Sequence, residues 1–493
     1  MNKKYLQFFL GSTILLFIYS LIHRIPDVDD GWIGDLAYFQ AKLGYAKSEL
    51  MRGITMLEIR HVCHHKFLTI QGGWFVNLFG WSLYTLKSVS LMYLIIFISS
   101  FCYYAKSKSL SQESMLLFFS LLLSNALIFE FSFIYRPELP VMAIGFLSFI
   151  FLEKSLEQQN RILVNAAIAG LFAGLCVATH LNGIVFPISG FLLLAMNKKF
   201  LPAFIFGIFT LPTIAIYFYD FRSMSDFAFW SYQMNNNPSI DTLPDMPLAL
   251  KFLNNILSEH KRFFHSPIEV SFSILMIVVF AFSFKKLKQN KTLLLYSLIL
   301  IVTLTLFSVH KSSKYAIIYL PYLMLLVTYG LQIIYDKRNE LYLFKLRINH
   351  KFATVTCTIL LLFYFSANSF FNIRLCSDKF YPKQNSDIVK TYIHENTHDL
   401  RIVAPMTFIF NEIDSFKSIQ GEMYYTEMQK KDTSLFQSGF LQATKKFHID
   451  YILLSPPHIE LLGMNNCPNE VYRNSGFELL SNSDKLLIIK RIK

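Results

Sequence analysis

Residues 26–32 read Pro26-Asp27-Val28-Asp29-Asp30-Gly31-Trp32 and follow directly on an apolar run from about Tyr5 to Ile25. Three carboxylates crowd the mouth of a membrane-length segment, in a chain that is 53% hydrophobic and only 16% charged. Soluble domains carry nearer a quarter charged residues, so the composition points to a polytopic membrane protein. The first run is preceded by Lys3 and Lys4, and it lacks a small-residue cleavage pattern. It reads as a retained signal anchor. Further runs of span length lie near 88–105, 114–134, 137–153, 162–179, 182–196, 200–219, 267–284, 292–309, 315–334 and 352–371, about eleven spans with the first.

The net charge of +13 does not describe a nucleic-acid face. The basic residues fall in short clusters between apolar runs: Lys3/Lys4, Lys106/Lys108, Lys154/Arg161, Lys198/Lys199, Lys285/Lys286/Lys288/Lys291 and Lys337/Arg338/Lys345/Arg347/Lys351. These are alternate connections, so the positive-inside rule places every cluster in the cytoplasm. The segment holding Asp29, the stretch 221–266 and the C-terminal tail then face outside. The expected site is a multi-pass cell membrane with an extracytoplasmic active face. The six cysteines show no metal spacing, and a Cys376–Cys467 bridge stays open.

Residues 1–371 read as the transmembrane body and 372–493 as an exterior domain. Within the body, 27–87 reads as an exterior loop with amphipathic helices lying at the membrane interface, and 221–266 as a second exterior loop. Asn235-Asn236-Asn237-Pro238 marks a turn. The tail alternates a polar helix (Ser386–Asn396), a strand (Arg401–Ala404), a helix (Phe436–Phe447), a strand (Tyr451–Leu454) and a hairpin (Phe477–Ile492), the pattern of a small α/β domain.

The outer face gathers acids and cations. Asp27 suits a helix cap, Asp35 a solvated helix position, and Asp29 and Asp30 chemistry. His61, His64 and His65 share an i, i+3, i+4 spacing without the glutamate of a zinc motif, so no metal ligand is assigned. No cofactor is assigned either, and a divalent cation stays open. The exterior turns supply Lys66, then Arg136 and Glu138, then His180, then Lys311, Lys314 and Tyr315. Lysines on the wrong side of the positive-inside pattern call for a partner, and a phosphate is the natural one. Carboxylate opposite cations fits glycosyl transfer from a polyprenyl-phosphate sugar. The phosphate leaving group needs charge stabilisation, and the attacking hydroxyl needs a base. One base without an opposed acid fits inverting transfer rather than hydrolysis.

At these residues the chain resembles the GT-C class of membrane glycosyltransferases, closest to the branch of the lipid A aminoarabinose transferases and protein O-mannosyltransferases. The likeness is carried by Asp29-Asp30 after the first span and by His65-Lys66-Phe67-Leu68 with Phe79-Gly80-Trp81-Ser82 and Leu86-Lys87. Thr179-His180-Leu181-Asn182-Gly183 and Lys311-Ser312-Ser313-Lys314-Tyr315 through Pro321 complete the set. It covers about residues 1–335 by the order of weak motifs. The family's double proline after the lysine is absent, and His65 stands where some relatives are acidic. The resemblance implies Asp29 as catalytic base, with Lys66, Arg136, Lys311 and Lys314 holding the donor phosphate. The partners it implies are membrane lipids, a polyprenyl-phosphate-linked sugar donor, and a lipid, glycan or protein acceptor.

Two other readings compete. A transporter or flippase of lipid-linked glycans would show related halves and ionisable groups in mid-span, whereas the halves here look unrelated and the charges sit at span ends. A glycan polymerase or ligase would use the same donor chemistry.

Overall fold

A computed structural model of the chain describes residues 3–237, 247–308, 311–343, 346–377 and 381–492. Pro238 and Lys345 of the sequence expectations lie outside the described residues. Among the described residues, seven apolar helical stretches are long enough to cross a bilayer: Lys3–His23 (α1), Leu83–Ser107, Glu138–Glu157, Ile162–Thr179, Phe200–Phe218, Pro267–Phe307 and His350–Cys376. Pro267–Phe307 is two helices joined by a tight turn at Lys288–Asn290, among the lysines that marked a connection. Shorter apolar helices occupy Gln112–Ser124, Leu181–Met196 and Leu320–Tyr335. The protein is a multi-pass helical membrane protein.

The run at 114–134 is interrupted. Asn125 ends one helix and caps the next, Ala126–Phe131, by accepting from the Ile128 amide. Backbone groups freed inside a membrane protein must be satisfied by neighbours. Here His350–Cys376 supplies them: Asn368 accepts from the Ala126 amide at 2.8 Å, and Asn372 donates to the Ser124 carbonyl at 2.8 Å.

Basic connections meet at one end of the bundle. Lys3 donates to Gln112 at 2.6 Å, Lys108 pairs with Glu153 at 3.0 Å, and Lys286 donates to Asn339. The other end carries the first long loop and the C-terminal domain. There Val28–Leu43 (α2) begins in a capping box, with Asp27 accepting from the Asp29 amide and Asp30 from the Asp27 amide, both at 2.9 Å. The second loop helix, Lys66–Phe79 (α3), exposes Trp74, Leu78 and Phe79 as an interfacial helix does. By contrast, α2 is covered. Ile33, Leu36 and Ala37 are buried, Gly31 lies against the Met406 backbone, and Gly34 meets Leu86.

The C-terminal domain holds a five-stranded sheet with β1 (Arg401–Ala404), β2 (Ser418–Gly421), β3 (Tyr451–Leu454), β4 (Phe477–Asn482) and β5 (Leu487–Arg491) in the order β2-β1-β3-β5-β4. The pairs β1–β2 and β1–β3 are parallel, and β5 runs antiparallel to both its neighbours. Strands β1 and β3 and the hairpin lie where the sequence placed them. Strand β2 and helix Glu422–Gln429 were not foreseen, and the polar helix near 386 spans only Gln384–Lys390. Cys467 carries a free thiol, so the Cys376–Cys467 bridge that the sequence left open is not formed.

Asp35, expected in solvent, is buried under the C-terminal domain and accepts from Ser48 Oγ at 2.7 Å and the Leu50 amide at 3.1 Å. Burial pushes its carboxyl up to about 7, and Glu49 adds to the rise. The folded state therefore binds a proton that the unfolded chain has lost between about pH 4 and pH 7, and stability falls as pH rises through that window, by about 1.4 kcal/mol per pH unit. Asp35→Asn is expected to flatten this slope. Melting curves of the two proteins at pH 5 and pH 8 check it, and an unchanged slope removes Asp35 as the source.

Candidate active site

Several stretches far apart in sequence converge at the acidic end. The anchor is Tyr135-Arg136-Pro137-Glu138, the turn that leads into helix Glu138–Glu157. Its Tyr135 amide donates to Asp30 Oδ1 at 2.7 Å, and Tyr135 Oη donates to the Leu68 carbonyl at 2.7 Å. These bonds tie α2, α3 and the turn together. Asp30 is fully buried and pairs with Lys87 at 3.0 Å. Asp30 thus faces inward, into the packing that fixes α2.

Asp29, one residue earlier, faces the other way. It lines a cavity of about 750 Å³ shared by Asp27, Arg136 and the C-terminal domain. Its carboxylate meets Arg136 Nη1, and Asp27 stands 4.0 Å from the same atom. The rest of the Arg136 fork is taken by Glu138, at 2.9 Å and 3.1 Å. A guanidinium held this way cannot swing, so it fixes where the Asp29 carboxylate sits.

A row of rings borders this corner. Trp32 stands edge-on to His65 at 6.1 Å, His65 stacks on His180 at 5.2 Å, and His180 lies 5.8 Å from Tyr315. Lys314 Nζ lies 5.8 Å from the centre of the Tyr315 ring. His180 Nδ1 accepts from the Asn182 amide at 2.9 Å, which leaves Nε2 to carry the proton of a neutral ring. Burial pushes His65 down to about 3 and His180 down to about 4, so both are neutral at physiological pH. Two buried polar atoms in the row, Trp32 Nε1 and His65 Nδ1, have no hydrogen-bond partner among the described residues. Lys314 makes no ion pair there either, and its ammonium pKa is lowered, first by burial and then by the charge of Arg136.

Two of the expected cations are committed elsewhere. Lys66 is buried and donates to Asp220 at 2.7 Å and to the His61 carbonyl at 2.8 Å. Lys311 bonds Glu259 at 3.1 Å and the carbonyls of Thr305 and Ser308. The triple histidine is not helical as its spacing had implied. Residues 61–65 are irregular, and His65 takes a left-handed backbone, φ +54°, before α3 begins. Among the described residues, no group of His, Cys, Asp and Glu side chains has the arrangement of a metal site.

The convergent set is therefore Asp27, Asp29, Arg136, Glu138, His65, His180, Lys314 and Tyr315, with Trp32 added by the structure. Trp32 stood in the opening motif, and only its unpaired indole N–H draws attention to it.

No protein-family model matches the chain, and no curated protein sequence does. Solved structures do. ArnT from Cupriavidus metallidurans in its apo state is similar over 99% of this chain and 97% of its own, with TM-score 0.57 and 10% identity. The same protein bound to undecaprenyl phosphate gives TM-score 0.57 at 10% identity, over 99% of this chain and 98% of its own. The oligosaccharyltransferase AglB from Archaeoglobus fulgidus, in complex with an inhibitory peptide and a dolichol-phosphate, has TM-score 0.50 at 10% identity, over 92% of this chain and 69% of its own. The arabinofuranosyltransferase AftD from Mycobacteria has TM-score 0.52 at 12% identity, over all of this chain and 40% of its own. The chain has the fold of the GT-C membrane glycosyltransferases.

Proposed function

We propose that the protein is an inverting glycosyltransferase that takes a sugar from a polyprenyl-phosphate donor on the extracytoplasmic face. Residues 1–371 form its transferase body and 372–493 a domain on the acceptor side. The observation that carries the proposal is the corner where Asp29 and Arg136 open onto the cavity, with Lys314 near enough to Arg136 to feel its charge and the Trp32 indole N–H buried without a partner among the described residues. A ligand with strong acceptor oxygens and negative charge completes these groups. A lipid phosphate is such a ligand, and ArnT of the same fold is seen with one.

The division of labour follows from the pairings. Lys314 and the Trp32 N–H hold the donor phosphate, and neutral His180 donates through Nε2. Arg136, already bidentate on Glu138, holds Asp29 in place. In the reaction an acceptor hydroxyl oxygen bonds to the sugar C1 while the C1–O bond to phosphate breaks. The bonding pair leaves with the lipid phosphate, and Asp29 takes the hydroxyl proton. Lys66 and Lys311 act only by holding the loops that carry their neighbours, and Asp30 only through α2.

The test is binding of undecaprenyl phosphate to the full chain in lipid nanodiscs. Lys314→Met is expected to weaken it by about ten-fold or more, the worth of one charge-assisted contact. Lys430→Met, on the far wall of the cavity, is expected to leave it unchanged. No binding by the native chain, or equal binding by Lys314→Met, overturns the proposal.

A further inference from the structure

The wall of the cavity facing Asp29 belongs to the C-terminal domain, and one residue in it is incomplete. Glu427, on helix Glu422–Gln429, is buried. Its Oε1 accepts from Lys430 Nζ at 2.6 Å, while Oε2 has no hydrogen-bond partner among the described residues. Native folds rarely leave a buried carboxylate oxygen without a donor, because the lost hydration is not recovered. An ionised carboxylate only accepts, so whatever completes it must donate. Lys430 already meets the charge of Glu427, so a neutral hydroxyl suffices as the donor to Oε2.

The rest of the wall has the matching character. Thr426 and Thr433 also line it, the Thr426 hydroxyl donating to the Met423 carbonyl and left able to accept, and Phe436 and Leu461 offer apolar surface. Phe436 is half-exposed, and its ring covers Gly463 so closely that a Cβ there would lie 2.0 Å from the ring. Gly463 also has φ +69°, so glycine serves both the turn and the ring that lies on it. Apolar surface flanked by hydroxyl-pairing groups suits a sugar ring, whose C–H face packs while its hydroxyls donate and accept.

We propose that this wall is the acceptor subsite and that the acceptor enters it as a carbohydrate. Its ring rests on Phe436 and Leu461, one hydroxyl donates to Glu427 Oε2, and the hydroxyl to be glycosylated points at Asp29. The acceptor role rests on the glycosyl-transfer reading of the Asp29 corner; the carbohydrate-binding claim stands by itself. Ser455, Glu422 and His458 lie nearby but do not form a hydrolytic triad. The Ser455 hydroxyl donates to Glu422 at 2.6 Å, and the same His458 Nδ1 faces both partners.

The experiment is ligand-observed saturation-transfer NMR on the full chain in nanodiscs. The probes are p-nitrophenyl β-D-glucoside and β-D-galactoside, with p-nitroanisole as the same arene without a sugar. At least one glycoside is expected to bind more tightly than p-nitroanisole. Glu427→Gln and the half-exposed Phe436→Ala are each expected to weaken that binding by about ten-fold, while undecaprenyl phosphate binding stays unchanged in both. Equal binding of p-nitroanisole, or native-like glycoside binding by both variants, overturns the proposal. Normal glycoside binding by a native chain that does not bind undecaprenyl phosphate overturns the transferase reading and the acceptor role, and leaves a carbohydrate site.

Discussion

Asp29→Asn is expected to reduce sugar transfer by about a thousand-fold, within the range a general base supplies. Insertion and melting are expected to stay as in the native chain. The substitution keeps the side-chain shape and leaves the capping box of Asp27 and Asp30 untouched, because Asp29 contributes only its backbone amide to that box. It also spares the Asp30–Lys87 pair. What it removes is the carboxylate that lines the cavity in direct contact with Arg136. An amide can still hydrogen-bond an acceptor hydroxyl but cannot take its proton, so the loss is expected in the transfer step and not in donor binding. Single-turnover transfer from a polyprenyl-phosphate sugar, beside undecaprenyl phosphate binding, separates the two. Retention of more than a tenth of the native rate removes Asp29 from the mechanism.

The sequence displayed the membrane body because apolar length is a local property, and each apolar run found its helix. It did not display the break at Asn125, since the Asn368 and Asn372 side chains that satisfy it lie over 240 positions away. The same distance hid the fate of the lysines. Lys66 and Lys311 were expected to need a partner and they have one, but the partners are Asp220, just before the 221–266 stretch, and Glu259 within it. A lone lysine in sequence cannot tell a phosphate from a carboxylate. Strand β2 escaped because Ser418-Ile419-Gln420-Gly421 is short and has a single β-branched residue. The helix after it, which carries Glu427, went unseen with it. Asp29 and Asp30 looked alike in sequence; on a helix, consecutive residues point about 100° apart, which sends one to the cavity and the other to the core.

That separation has a second, measurable consequence at Asp30. Both Asp30 and Lys87 are at most 1% exposed, so the pair is taken wholly out of water. Asp30 also accepts from the Tyr135 and Asp27 amides, while Lys87 Nζ lies 5.5 Å from the centre of the Phe133 ring. Lys87→Met leaves the carboxylate buried without its cation, and breaking such a pair costs about 3–5 kcal/mol. Asp30→Asn leaves the ammonium stranded and is expected to cost a similar amount. The double variant Asp30→Asn with Lys87→Met strands no charge and keeps an acceptor for one of the two amides, so it is expected to recover part of the loss. Unfolding in mixed SDS micelles, read as a double-mutant cycle, measures this directly. Transfer activity should return with stability in the double variant, because Asp30 works through the position of α2. A double variant that is stable yet loses transfer as completely as Asp29→Asn would instead place Asp30 among the reacting groups.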